Sequence, residues 1–88
     1  MEIVRRACAG TMESSDAFVE IESNPSCLEI QLESVVQEQF GDSILQSVHD
    51  VLQKAGVTRA TVHVTDQGAL DCVIRARVET AVLRGGEK

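Results

Sequence analysis

Three stretches of this chain alternate apolar with polar residues, and the polar sets are almost wholly Glu, Gln, Thr and His. Ala17, Val19 and Ile21 alternate with Phe18, Glu20 and Glu22. Leu28, Ile30 and Leu32 alternate with Glu29, Gln31 and Glu33, and Ala60, Val62 and Val64 with Thr61, His63 and Thr65. Successive side chains of a strand point to opposite faces, so each stretch reads as a half-buried strand. A sheet made from such strands has one apolar face and one wet face, and is covered on one side only.

The cover comes from two helical patterns. Val36, Phe40, Ile44, Leu45, Val48, Val51, Leu52 and Ala55 recur at three- and four-residue spacings, the single stripe of an amphipathic helix. Ser34-Val35-Val36-Gln37 ahead of it has capping-box spacing, and Gly56 is placed to end it in a left-handed conformation. After the third strand, Asp66-Gln67-Gly68 turns the chain into a last helix. Its expected stripe is Leu70, Val73, Ile74, Val78, Ala81 and Val82, with Asp71 near the N-terminus, where the helix dipole favours an acid.

Ser23-Asn24-Pro25-Ser26 is a turn by its chemistry, and it is expected to join the first two strands as a hairpin. The order is then β-β-α-β-α. It predicts an α+β two-layer sandwich, a three-stranded sheet with both helices on one face. A third strand lying beside the first would make a split, right-handed crossover. Residues 1–16 show no clean period and are expected to form a flexible, irregular N-terminal segment. Residues 17–84 read as one α+β domain and 85–88 as a tail.

Composition removes several function classes. A chain of 88 residues holds one small core. Its net charge of −6, with eight Lys and Arg, argues against nucleic acid, because phosphate binding needs a basic patch. An acidic surface suits docking onto a basic protein partner. No apolar run approaches the ~20 residues that cross a bilayer, and Met1-Glu2-Ile3-Val4-Arg5-Arg6 lacks a signal-peptide core, so a cytoplasmic protein is expected. Cys8, Cys27 and Cys72 are far apart and His49 and His63 stand alone, so these read as packing or surface positions with no metal expected. No nucleophile elbow, phosphate loop or metal-ligand cluster marks an enzyme, and no catalytic residue is assigned.

One segment resists this plain reading. Ala9-Gly10-Thr11-Met12-Glu13-Ser14-Ser15-Asp16 places two adjacent hydroxyls between two acids, just before the first strand. Ser15 and Asp16 can simply turn the chain. Alternatively, one hydroxyl accepts a covalent group. A bare serine is a weak nucleophile, so a modifying enzyme would have to supply the base.

That segment, the central Glu38-Gln39-Phe40-Gly41-Asp42 and the late block Asp66-Gln67-Gly68-Ala69-Leu70-Asp71-Cys72-Val73-Ile74-Arg75-Ala76-Arg77 resemble the acyl carrier (gamma) subunit of citrate lyase, in the same order. The resemblance runs from about Ala9 to about Leu83. It implies a non-catalytic carrier with a covalently attached triphosphoribosyl-dephospho-coenzyme A group, joined by a phosphodiester to Ser14. Ser15 stands where the family accepts Gly or Ser. The implied partners are the transferase (alpha) and lyase (beta) subunits and a prosthetic-group transferase, with acetyl and citryl thioesters as cargo during citrate cleavage. Any divalent ion belongs to the lyase partner.

A citramalate lyase carrier, a malonate decarboxylase carrier and a small acidic interaction domain are the alternatives. Glu13 and Asp16 are expected to repel the anionic group and push it outward. Arg75 and Arg77, two apart on a helix, cannot share a face; one is expected to pair with Asp71 and the other to meet a partner protein.

Overall fold

The sheet is built around the strand Ala60–Asp66, whose side chains alternate between fully buried and half-buried along its whole length. The computed structural model describes residues 1–86, so Glu87 and Lys88 of the expected tail lie outside the described residues. In chain order the elements are β1 (Ala7–Gly10), β2 (Ala17–Ser23), β3 (Leu28–Ser34), α1 (Gln37–Lys54), β4 (Ala60–Asp66) and α2 (Asp71–Gly85). The class is α+β, as the periodicities require. The sheet has four strands where three were expected, in the order β1-β2-β4-β3.

Two corrections follow. The fourth strand comes from residues 1–16, expected to be irregular: β1 pairs antiparallel with β2, Ala7 opposite Ile21 and Gly10 opposite Phe18. Its sequence Ala-Cys-Ala-Gly offers only small residues, so its alternation carries little hydrophobic contrast. The expected hairpin of the first two strands does not form either. β4 inserts between them, antiparallel to β2 and parallel to β3. The β3-α1-β4 crossover thus joins neighbouring strands, and β4 still lies beside β2.

Side-chain chemistry favours that placement. β4 keeps Thr61, His63 and Thr65 half-buried on its open face, whereas β3 exposes Glu29, Gln31 and Glu33, two charges and an amide that suit an edge. Asn24 secures the linker: its Oδ1 accepts the Ser26 and Cys27 amides, and its Nδ2 reaches across to donate to Thr61 Oγ1 on β4 at 3.1 Å.

Val19, Ile21, Val62 and Val64 of the sheet meet Val48 and Leu52 of α1 and Ile74 and Val78 of α2 in one buried cluster. Both helices therefore lie on one face. The N-terminal residues close the far end, where Ile3 is buried and bridges to Gly86, and the Val4 and Arg5 amides donate to the Gly85 carbonyl. Gly85 and Gly86 are thus built into the fold, although a fraying tail was expected there. Gly56 ends α1 at φ 73°, as its position implied.

The capping box is not formed. Ser34 Oγ donates instead to the buried carboxylate of Asp66 at 2.8 Å while accepting the Val36 amide at 3.1 Å. Asp66 also accepts the Ala69 amide at 2.9 Å, so one buried acid ties together the ends of β3 and β4 and the entry to α2. Asp66→Ala leaves these donors without a partner. It is expected to lower the unfolding free energy by about 1–3 kcal/mol in urea denaturation, and an unchanged midpoint would refute that role.

Candidate functional site

β1 and β2 are joined by Thr11–Asp16, and the tip of this hairpin carries the two serines. Gly10 makes the turn possible: at φ 92°, a Cβ there would collide with the Ala17 carbonyl. The Asp16 amide donates to the Glu13 carbonyl at 3.1 Å, closing a four-residue turn with Ser14 and Ser15 at its corner. Ser15, the third residue of this turn, has φ 65°, a left-handed value that glycine adopts without strain and other residues rarely do.

The turn is braced from three sides. The Ser15 amide donates to the Gln67 carbonyl at 2.8 Å, and the Gln67 amide returns a bond to the Asp16 carbonyl at 2.9 Å. These bonds extend the β2–β4 ladder beyond its last paired residues, Ala17 and Asp66. Thr11 Oγ1 donates to Asp16 Oδ2 at 2.7 Å and accepts the Glu13 amide at 3.2 Å. From α2, Arg77 makes a two-pronged contact with Asp16, Nε to Oδ1 at 2.9 Å and Nη2 to Oδ2 at 3.2 Å. Paired, planar contact of this kind fixes direction as well as charge.

Asp16 is accordingly not a free acid repelling an anion from the serines, as expected. Its side chain is only 15% exposed, and Arg77, Thr11 and the Ala17 amide hold its carboxyl well below the usual carboxylate range. Glu13 alone keeps an open acidic position at the tip. Arg77, expected to reach a partner protein, instead faces inward to the turn.

Arg75 does pair with Asp71, at 2.8 Å, and reaches Asp50 of α1 at 3.3 Å. Ser47 Oγ donates to Asp71, and that bond first, then Arg75, lowers the Asp71 carboxyl. Gln46 and then Arg75 lower that of Asp50. The two arginines thus do opposite jobs on opposite faces: Arg75 locks α1 to α2, and Arg77 locks α2 to the hairpin.

Ser14 is exposed, and among the described residues its hydroxyl takes part in no hydrogen bond. The Ser15 hydroxyl is likewise exposed and unbonded among the described residues, so the arrangement presents two uncommitted oxygens at the corner of a fixed turn. Of the acids beside them, Asp16 is engaged by Arg77 and Glu13 is open, and His63 lies on the open sheet face between Glu20 and Glu33. Among the described residues no cluster of His, Cys, Asp and Glu could hold a metal ion, and the three cysteines are free and exposed. No described helix is long and apolar enough to cross a membrane. Thr11, Gln67 and the role of Arg77 were missed from sequence, although the first and late blocks that contain them were both visible.

A small α+β domain with exposed serine hydroxyls on a braced turn is compatible with a carrier. Comparison with known proteins agrees. Residues 4–85 match the family model described as "ACP: Malonate decarboxylase delta subunit (MdcD)". Citrate lyase acyl carrier protein 2 of Salmonella typhimurium is 48% identical over 89 residues, covering 100% of this chain and 92% of its own length. The citrate lyase acyl carrier protein of Enterobacter sp. strain 638 is 51% identical over 88 residues, covering 100% and 91%. A chain in the crystal structure of a Pseudomonas malonate decarboxylase hetero-tetramer in complex with malonate superposes with a TM-score of 0.77 at 27% identity, over 93% of this chain and 84% of that one. The chain belongs to the family of citrate lyase acyl carrier proteins.

Two outcomes test the geometry of the turn. Ser15→Gly is expected to keep or raise stability by up to about 1 kcal/mol, whereas Ser15→Val should cost about 1–2 kcal/mol through its left-handed φ; equal urea midpoints would contradict the turn. The depressed pKa of Asp16 means that its pairing contributes stability above the ordinary carboxylate range, lost only as pH falls through the lowered value. In Arg77→Met, carbon-detected NMR titration of the Asp16 carboxyl should find its midpoint moved up towards ~3.9. An unmoved midpoint would show that Arg77 does not hold it.

Proposed function

We propose that this protein is the acyl carrier subunit of a citrate lyase, with Ser14 as the attachment point of a phosphoribosyl-dephospho-coenzyme A group. Ser14 Oγ displaces diphosphate from the triphosphoribosyl-dephospho-coenzyme A donor, losing its proton to the transferase's base, and a phosphodiester remains. The single observation that supports this most is the exposed Ser14 hydroxyl, which makes no hydrogen bond among the described residues, at the corner of a turn whose backbone is held by Gln67 and whose Asp16 is held by Arg77. The Ser15 hydroxyl beside it is equally free, and the choice of Ser14 rests on the resemblance of the block around it. The group supplies a thiol that carries acetyl and citryl as thioesters. Everything else the chain does is mechanical.

Gly10 and Ser15 give the backbone its reversal, and Arg77 and Gln67 hold that reversal against the domain. Ser14 Oγ then stands clear of the surface, where a separate prosthetic-group transferase can approach it and supply the base. Glu13, the one uncommitted acid of the tip, discourages an anionic group from folding back. The domain contributes no acid, base or metal to citrate cleavage. The transferase (alpha) and lyase (beta) subunits perform the chemistry in turn, and the attached cargo stays at an effective concentration set by its tether, on the order of millimolar.

The relatives' names favour citrate over citramalate as the substrate of the complex. The test is intact mass after co-expression with the prosthetic-group transferase. Wild type is expected to gain the mass of the phosphoribosyl-dephospho-coenzyme A moiety and Ser14→Ala to gain none. An adduct that survives Ser14→Ala would move the site to Ser15. A wild type that stays bare beside a transferase active on another carrier would overturn the reading.

A further inference from the structure

Two residues that helical spacing assigns to the core are on the surface instead. Phe40 of α1 is 56% exposed and Leu70, at the entry to α2, is 72% exposed. They flank one cleft of about 280 Å³, floored by Val36, Ile44 and Ile74 and edged by Gly68. Gly68 is next to Gln67, whose carbonyl holds the Ser15 amide. The cleft therefore opens beside the serine turn.

The topology makes this more than one site's accident. β2 starts at this end of the sheet, β3 and β4 finish there, and both helices begin there. Of seven large apolar side chains exposed among the described residues, four belong to this end: Met12, Val35, Phe40 and Leu70. Charge is sorted as well. Glu13, Glu38 and Asp42 are exposed around the patch, while Arg75 and Arg77 are both held by carboxylates. Lys54, Arg59 and Arg84 lie at or next to the opposite ends of their elements.

From this geometry we infer that the serine end is a docking face for the acyl-exchanging partner protein, which inserts an apolar side chain between Phe40 and Leu70 and surrounds it with Lys and Arg. An apolar centre with a polar rim is the usual anatomy of a protein interface, and an exposed patch of this kind marks one. The acidic rim supplies complementarity and speeds encounter, which makes association salt-dependent. The inference rests on the carrier reading for the identity of the partner. Its position beside Ser14 suits that role, since a docked partner meets the attachment point at once.

The experiment measures affinity of the purified, unmodified protein for the transferase (alpha) subunit of a citrate lyase by calorimetry, at low and high salt. Phe40 and Leu70 are exposed, so Phe40→Ser and Leu70→Asp should fold, and thermal melts confirm it. Each is expected to weaken binding about tenfold or more, and Glu38→Lys with Asp42→Lys should do so chiefly at low salt. Leu83→Asp, an exposed apolar residue at the other end, should bind as wild type does. Equal binding by wild type and Leu70→Asp, no binding by either, or an equal loss in Leu83→Asp would overturn the docking face. Mass analysis of the loaded wild type reads the carrier function separately, so an adduct on Ser14 with unaffected variants would sink this inference alone.

Discussion

β4 forms hydrogen-bonded ladders on both sides at once, and that double pairing decides where every other element begins and ends. Its last residue, Asp66, is opposite the first of β2 and level with the last of β3. The two helices must then both start at this end, and the β1–β2 hairpin must turn there. Three sequence blocks, at residues 9–16, 38–42 and 66–77, thus converge on one end of the molecule. The opposite end is closed by Ile3, Gly85 and Gly86, whose contacts tie the two chain ends together.

Within that frame, the tip that carries Ser14 is held by the same kinds of bond that hold the sheet. The exchange between Ser15, Asp16 and Gln67 continues the ladder by one more pair, and Arg77 fixes the Asp16 carboxylate from the helix layer. A partly buried two-pronged pair is directional where an exposed ion pair is not. A single salt bridge thus couples the sheet layer, the helix layer and the tip. The hydroxyls of Ser14 and Ser15 themselves stay outside the network.

Much of this was legible in the sequence, for physical reasons that differ by element. The alternation at Ala17–Ser23, Leu28–Ser34 and Ala60–Asp66 names three strands and their wet face because period two survives wherever one side is buried. The stripe through Ile44, Val48 and Leu52 identifies α1 in the same way. β1 was hidden because alanine and glycine give no contrast, and the order of strands was hidden because Asn24 and Pro25 signal a turn whichever strand comes next. Phe40 and Leu70 fit a buried stripe by spacing alone; periodicity records which face a residue shares, not whether the partner that covers it belongs to the same chain. The pairing of Arg77 with Asp16, 61 positions apart, leaves no local trace. The proposal of Ser14 rests on the resemblance of the block around it to a known carrier; its turn chemistry by itself permits a simple corner.

Whether Ser14 rides on a held turn or on a loose arm is best read from backbone amide relaxation of the unmodified protein in solution. A braced tip gives Ser15, Asp16 and Gln67 order parameters near the ~0.85 of rigid backbone, similar to those of β2 and β4. Values below about 0.6 from Thr11 to Asp16, with β2 rigid beside them, would mean that the bonds from Arg77 and Gln67 do not hold the tip.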